Sequence, residues 1–191
     1  AGPVLRGNDG SRPLGHGAVV AAGVGCMSAT LSLDDFKGAL GSWASGVTVV
    51  TTELNGVVYG ITVSSFSSLS VDPVLVLVSL ADTNHLPRMI RESGRFAISI
   101  LSAGQESVSR YFATSGREPA PAFDPSIPTE TWLTGCPLIP GAIAQIDCEL
   151  HEALPGGDHT IVIGRVVGAR FDPERSPLIY FRRAYRSLAE G

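Results

Sequence analysis

Val47-Thr-Val-Val-Thr-Thr-Glu-Leu-Asn-Gly-Val-Val-Tyr-Gly-Ile-Thr-Val63 holds two β-branched runs on either side of Asn55-Gly56. Asn-Gly is the pair that tight hairpin turns favour, because both central residues of such a turn need φ > 0. The stretch therefore predicts two antiparallel strands, Val47 to Thr52 and Val57 to Val63, paired directly. Working outward, Val74 to Leu80, Arg95 to Leu101, Ile143 to Leu150 and His159 to Val167 are further short β-branched runs bounded by turn residues. Six such runs suffice for a barrel. Helical spacing of Phe36, Leu40 and Trp43 behind Ser32-Leu-Asp-Asp35 predicts a capped amphipathic helix over Leu33 to Ser45. Two more helical pieces fall around Leu86 to Ser93 and Gln105 to Phe112. The segment Ala113 to Pro140, with eight prolines or glycines, reads as a long functional loop. The predicted fold class is mainly β with flanking helices.

Composition narrows the function classes. The 191 residues carry 44% hydrophobic and 17% charged side chains, enough for one domain with a sizeable core. Fourteen basic against 18 acidic residues leave no electrostatic footprint for nucleic acid. All the basic residues but Lys37 are arginines, whose planar fork of donors suits bidentate phosphate contacts. Cys26, Cys136 and Cys148 lack C-x-x-C spacing and are odd in number, so reduced cytoplasmic thiols are expected, with no metal site and no disulfide framework. The longest apolar run, Pro73 to Ala81, is far short of the roughly 20 residues of a spanning helix. Residues 1–30 are rich in Gly, Ala and Pro and are read as a mobile or tag-derived extension, leaving 31–191 as the folded domain.

Two stretches concentrate possible chemistry. Gly60-Ile-Thr-Val-Ser-Ser-Phe-Ser-Ser-Leu-Ser-Val-Asp-Pro73 places six hydroxyls within nine positions at a strand exit, where a polar ligand could collect backbone N–H and hydroxyl donors together. A Ser-rich turn bonding to its own backbone explains the same composition. Leu154-Pro-Gly-Gly-Asp-His-Thr-Ile-Val-Ile-Gly-Arg-Val166 sets Asp158 and His159 at the mouth of a β-run. An imidazole there could contact a nicotinamide while Asp158 fixes its tautomer; a hairpin in which the Asp merely caps the turn is the alternative.

Taken together and in order, Gly46-Val-Thr-Val-Val-Thr-Thr52, the 60–73 stretch, Gly157-Asp-His-Thr-Ile-Val-Ile-Gly-Arg-Val166 and Pro177-Leu-Ile-Tyr-Phe-Arg-Arg-Ala-Tyr-Arg186 closely resemble the flavin reductase family, over Leu33 to Leu188. The resemblance implies an FMN-binding split β-barrel that works as a homodimer, with FMN or FAD and with NADH or NADPH as hydride donor. It also implies a cytoplasmic protein whose reduced flavin diffuses to a separate monooxygenase, with no nucleic-acid or membrane partner. By motif match Thr62, Val63, Ser64, Ser65 and Phe66 cradle the isoalloxazine and ribityl chain, and Asp72 and Pro73 close the cradle. Ser79, Leu80, Asn84, Ser99 and Phe112 join the implied cofactor-binding set. Ser115 and Arg117 fall to the flavin phosphate, Asp158 and His159 to the nicotinamide side, and Arg183 and Tyr185 to the pocket lining; His159 is the implied catalytic residue. Three departures stand out: Val74 replaces the second proline of Asp-Pro-Pro, His85 replaces a small hydroxyl in Asp82-Thr-Asn-His-Leu86, and Phe112-Ala-Thr-Ser-Gly-Arg-Glu118 matches its family counterpart only in part. The same barrel also hosts flavin-binding proteins of other activities, oxidase-like or non-catalytic.

Overall fold

A computed structural model of the chain describes residues 31–188. The predicted 1–30 extension, Cys26 included, lies outside these residues. Helix α1 (Leu33–Gly41) is followed by β1 (Ser45–Gly46), β2 (Thr48–Leu54), β3 (Val57–Val63), β4 (Ser67–Val71) and β5 (Val74–Ala81). Next come α2 (Leu86–Ser93), β6 (Arg95–Ile100) and, behind a 3-10 turn at Ala103–Gln105, α3 (Glu106–Ala113). The remaining strands are β7 (Glu130–Thr131), β8 (Pro137–Leu138), β9 (Ala144–Pro155), β10 (His159–Phe171), β11 (Ile179–Phe181) and β12 (Ala184–Arg186).

Seven strands form one antiparallel sheet in the order β3-β2-β6-β9-β10-β5-β4. Its two edge strands, β3 and β4, are consecutive in the chain, and only Ser64, Ser65 and Phe66 join them. A link of that length spans no more than about 14 Å. The sheet must therefore curl until its edges nearly meet, yet no ladder joins β3 to β4. The result is a split barrel, with the hydroxyl-rich stretch at the split.

Burial follows the two faces of β2. Val50 faces the barrel interior with Val78, Leu80, Phe96, Ile98 and Val162, and α2 closes that interior with fully buried Leu86 and Ile90 and nearly buried Met89. Each such side chain contributes on the order of 1.5–3 kcal/mol of burial energy. On the opposite face of β2, Val47 and Val49 pack with Leu101, Phe112, Ile139 and Leu178, a second core beneath α3 and the loop that follows it. Successive side chains of a strand point to opposite faces. A run buried on both sides must then read VTVVTT rather than alternate. At Gly164 of β10 an added Cβ would lie 2.4 Å from Phe96 Cζ, so the glycine makes room for that ring.

Asn55-Gly56 forms the predicted turn, with φ of 54° and 81°, and β2 pairs with β3 from Thr48↔Val63 to Leu54↔Val57. Several boundaries differ from expectation. The first helix ends at Gly41 rather than Ser45, and it buries no residue, so Phe36, Leu40 and Trp43 remain exposed. Ser67–Val71 is a strand, β4, not a loop leaving one; pairing with β5 overrides the weak strand signal of SSLSV. Strands β9 and β10 run on to Pro155 and Phe171, because each extends the other's ladder through two register irregularities. Within the predicted loop 113–140, β7 and β8 make a short ladder.

Candidate active site

Along the split, α3 lies over β3, and the β11–β12 hairpin closes the far side. Thr62 Oγ1 donates to the Ser109 carbonyl at 2.8 Å, and the buried Ser109 hydroxyl shares a 2.8 Å hydrogen bond with Tyr185 Oη. This chain of contacts fixes strand, helix and hairpin around three adjoining cavities. The central one, about 200 Å³, is lined by Val47, Thr62, Val63, Ser64, Ser109, Ala113, Tyr180 and Tyr185. A second, about 340 Å³, shares Thr62 and Ala113 with it and adds Tyr59, Ile61, Thr83, Asn84, His85, Phe112 and the turn Thr114 to Glu118. A third, about 520 Å³, shares Ala113, Tyr180 and Tyr185 and adds Glu106, Arg110, Thr114, Arg183 and Ala184. Ala113, the last residue of α3, borders all three.

Gly60 permits this packing. A Cβ there would meet Thr51 Cγ2 at 2.8 Å, the Val50 carbonyl at 3.0 Å and the Phe112 ring at 3.1 Å. The Gly60 carbonyl accepts from the Arg117 guanidinium at 2.5 Å, and the Phe112 carbonyl accepts from the same nitrogen at 3.1 Å. The guanidinium carbon also lies 4.9, 5.2 and 5.5 Å from the ring centroids of Tyr111, Phe112 and Tyr59. Burial pushes the Tyr59 hydroxyl pKa up, partly countered by Arg117. Across the same cavity, His85 Nε2 sits 3.1 Å from Glu118 Oε2, with its ring edge-on to Tyr59.

Of the residues expected to bind cofactor, the cavities bring together Thr62, Val63, Ser64, Asn84, Phe112, Ser115, Arg117, Arg183 and Tyr185. Several of these also have structural duties. Asn84 donates to the Ala81 carbonyl and accepts from the Leu86 N–H, which starts α2. Arg117 is engaged by carbonyls and rings as described, so its role in the fold is larger than a phosphate contact requires. Ser65 does not line the cavities: its hydroxyl donates to the Ser79 carbonyl at 2.7 Å and accepts from the Ser79 N–H at 3.2 Å, tying the β3–β4 link to β5. Phe66 packs on the barrel core. Leu80 is fully buried there, and the buried Ser99 hydroxyl accepts from the Ile139 N–H. Asp72 and Pro73 form the exposed tip of the β4–β5 hairpin, joined by a cis peptide, away from the three cavities.

His159 begins β10 opposite Ala81, and its Nδ1 lies 2.6 Å from Asp158 Oδ1. The neighbouring imidazole holds the exposed Asp158 carboxyl below its ordinary pKa. The pair sits at the same end of the sheet as loop 82–85, since the Asp82 N–H donates to the Asp158 carbonyl, but it lines none of the three cavities. Tyr59, Thr83, Ser109, Arg110, Ala113 and Tyr180 line the cavities and were not foreseen. The i, i+3, i+4 spacing of 106, 109, 110 and 113 on the predicted third helix was the available signal for one face of the site. Among the described residues no His, Cys, Asp or Glu cluster could hold a metal, and no helix is long and apolar enough to cross a membrane.

Known proteins resemble this chain in sequence and in fold. A Rhodococcus protein named NADH-dependent flavin reductase is 40% identical over 153 residues, 78% of this chain and 83% of its own length. The reductase component of 4-hydroxyphenylacetate 3-monooxygenase from Thermus thermophilus is likewise 40% identical over 153 residues, 80% of this chain and 95% of its own. Among solved structures, the Streptomyces globisporus NADH:FAD oxidoreductase SgcE6, in complex with NAD and FAD fragments, superimposes with a TM-score of 0.76 at 33% identity, covering 82% of this chain and 92% of that one. The model of the flavin reductase like domain matches residues 40–189, which span every strand of the split barrel and all three cavities, and the chain belongs to that family.

Proposed function

We propose that this chain is an NAD(P)H:flavin oxidoreductase that supplies reduced FMN or FAD to a separate monooxygenase. The observation that carries the reading is the central cavity, whose walls Val47, Val63, Ala113, Tyr180 and Tyr185 stand beside the open edge of β3. Among the described residues, that edge has no ladder partner beyond the bridge Val58↔Ala120. A flavin ring fits both features, its benzenoid side against apolar and aromatic walls and its pyrimidine edge against strand N–H and C=O groups. Bound flavin supplies the two-electron acceptor for hydride from the nicotinamide.

The protein's own contribution is positioning. Val63 and Tyr185 fix the plane of the ring, while Thr62, pinned to Ser109, keeps an accepting lone pair for the ligand. The second cavity, with Ser115 and Arg117, receives the ribityl phosphate, and His159 approaches the nicotinamide. The molecule acts as a homodimer: α1 presents Leu33, Phe36 and Leu40, with Trp43 just beyond its end, and the edge hairpin β4–β5 presents Leu69, Val71 and Val74, all exposed in the single chain. A cytoplasmic setting accords with Cys136 and Cys148, whose free thiols are both buried.

The test is a steady-state matrix of NADH and NADPH against FMN and FAD, with sedimentation of the same preparation. Flavin-dependent nucleotide oxidation by a dimer is expected. Tight flavin binding without nucleotide oxidation would point instead to a non-catalytic flavin carrier. In the same assay His159→Ala should raise KM for the nucleotide about ten- to a hundred-fold with flavin Kd unchanged; loss of flavin binding would move His159 to the flavin side.

A further inference from the structure

The ladder between β5 and β10 ends at Ala81↔His159, and the turn 82–85 that follows leads into α2. Asp82 reaches back across this end of the sheet twice. Its N–H donates to the Asp158 carbonyl at 3.1 Å, and its Oδ1 accepts from the Thr160 hydroxyl at 2.6 Å. One residue therefore holds both chain neighbours of His159. Thr160 Oγ1 also accepts from the Arg91 guanidinium of α2 at 2.8 Å, so the hydroxyl is used both as donor and as acceptor.

Packing alone does not require that hydroxyl. Thr160 is 1% exposed and lies across from Leu80 in the barrel wall, a place that valine would fill at similar volume. A buried hydroxyl is costly unless it is bonded. Here its partners are charged side chains 78 and 69 positions away in the chain, and hydrogen bonds to charged groups are roughly twice as strong as neutral ones. The turn itself is anchored without Asp82. The Asn84 side chain donates to the Ala81 carbonyl at 2.7 Å and accepts from the Leu86 N–H at 3.0 Å, while Thr83, Asn84 and His85 line the 340 Å³ cavity. What Asp82 adds is a link from that anchored turn to the start of β10. There, Asp158 Oδ1 lies 2.6 Å from His159 Nδ1, which leaves Nε2 as the nitrogen available to a ligand.

We propose that Asp82 and Thr160 are positioning residues for flavin reduction: together they fix the His159 imidazole relative to the cavity that the 82–85 turn lines, so that nicotinamide and flavin meet at reacting distance. Each acts through His159 rather than on a ligand. The proposal rests on the reading of His159 as the nicotinamide contact and deepens it.

Asp82→Ala and Thr160→Val each remove the side-chain bond, whereas Asp82→Asn keeps an accepting oxygen and Thr160→Ser keeps the hydroxyl. These four variants, His159→Ala and the double variant Asp82→Ala/His159→Ala are compared in NADH oxidation at saturating FMN, with FMN Kd and Tm measured on the same preparations. Asp82→Ala and Thr160→Val should each lower kcat/KM for NADH roughly ten-fold with FMN Kd unchanged, and the Asn and Ser variants should stay within about two-fold of wild type. The double variant should be no slower than His159→Ala alone, because nothing is left to position. A lower Tm with NADH kinetics intact would make the contact purely structural and overturn the proposal, as would a matching loss of FMN affinity or additive effects in the double variant. If His159→Ala itself leaves NADH kinetics untouched, the reading of that histidine falls and the proposal with it; a slow His159→Ala beside silent Asp82→Ala and Thr160→Val overturns the proposal alone.

Discussion

The hairpins β2–β3 and β11–β12 solve one geometric problem with opposite residues. Each reverses the chain in two positions of positive φ, at Asn55-Gly56 in the first and Arg182-Arg183 in the second. The first joins seven-residue strands of the main sheet, and its turn is exposed, with Glu53 accepting from the Gly56 N–H. The second joins three-residue strands at the rim of the site. The first turn carries the residues that turn at least cost; the second carries Arg183, which lines the 520 Å³ cavity, and Arg182, which stacks on Phe181 at 5.1 Å. Arginines in left-handed backbone mark the hairpin at the rim of the site, whereas the β2–β3 hairpin, whose β3 also lines the cavities, turns on residues suited to that backbone.

Exchanging the turns should break this contrast. Asn55→Arg/Gly56→Arg puts two Cβ-bearing cations into left-handed backbone with no ligand to meet, and it should cost about 2–4 kcal/mol of unfolding free energy in urea melts. Ligand affinities should not change. A cost below experimental error would mean that arginine is tolerated in such turns here, and the contrast between the two hairpins would fail.

A smaller effect is expected from Tyr185→Phe. It keeps the ring that floors the cavities but removes the hydrogen bond to Ser109, at about 1 kcal/mol. The Asn55-Gly56 turn lies at the opposite end of β3 from Thr62, which bonds Ser109, so Asn55 and Gly56 substitutions should leave α3 undisturbed, whereas Tyr185→Phe should speed amide exchange along α3.

A third turn, Gly156-Gly157-Asp158 between β9 and β10, gives the smallest effect. Gly157 takes the positive φ, 79°, and the neighbouring Asp158 is free to pair with His159. The Asp158 carboxyl pKa is depressed by that imidazole, so the pair's favourable contribution is present above the ordinary carboxylate pKa and is lost as pH falls through the lowered value. An NMR titration should show the Asp158 pKa rising toward its ordinary value in His159→Ala. No movement would mean that the two side chains do not interact in solution.

Much of the barrel could be read directly from the chain. The hairpin at Asn55-Gly56, the strand cores and the three helices all rest on local signals: turn chemistry, β-branched runs and 3.6-residue spacing. β4 was not legible, because Ser67-Ser-Leu-Ser-Val71 carries no strong propensity and becomes a strand by pairing with β5. The full lengths of β9 and β10 were hidden likewise, since each depends on its partner's register.

The site divides along the same line. Thr62, Val63 and Ser64 were marked by hydroxyl density at a strand exit, and Arg183 and Tyr185 by a motif near the C-terminus. Two hydroxyls expected at the cofactor, Ser65 and Ser99, bond to backbone groups within the fold. No sequence pattern distinguishes a hydroxyl that meets a ligand from one that pins two strands, because the difference lies in which distant backbone group stands opposite. Ala113 shows the same limit: an unremarkable alanine at a helix end borders all three cavities, a position set by the packing of α3 on Gly60 and by the Thr62–Ser109–Tyr185 contacts across the split. Local chemistry fixed the kinds of groups available, and long-range burial and hydrogen bonding fixed which of them face one another.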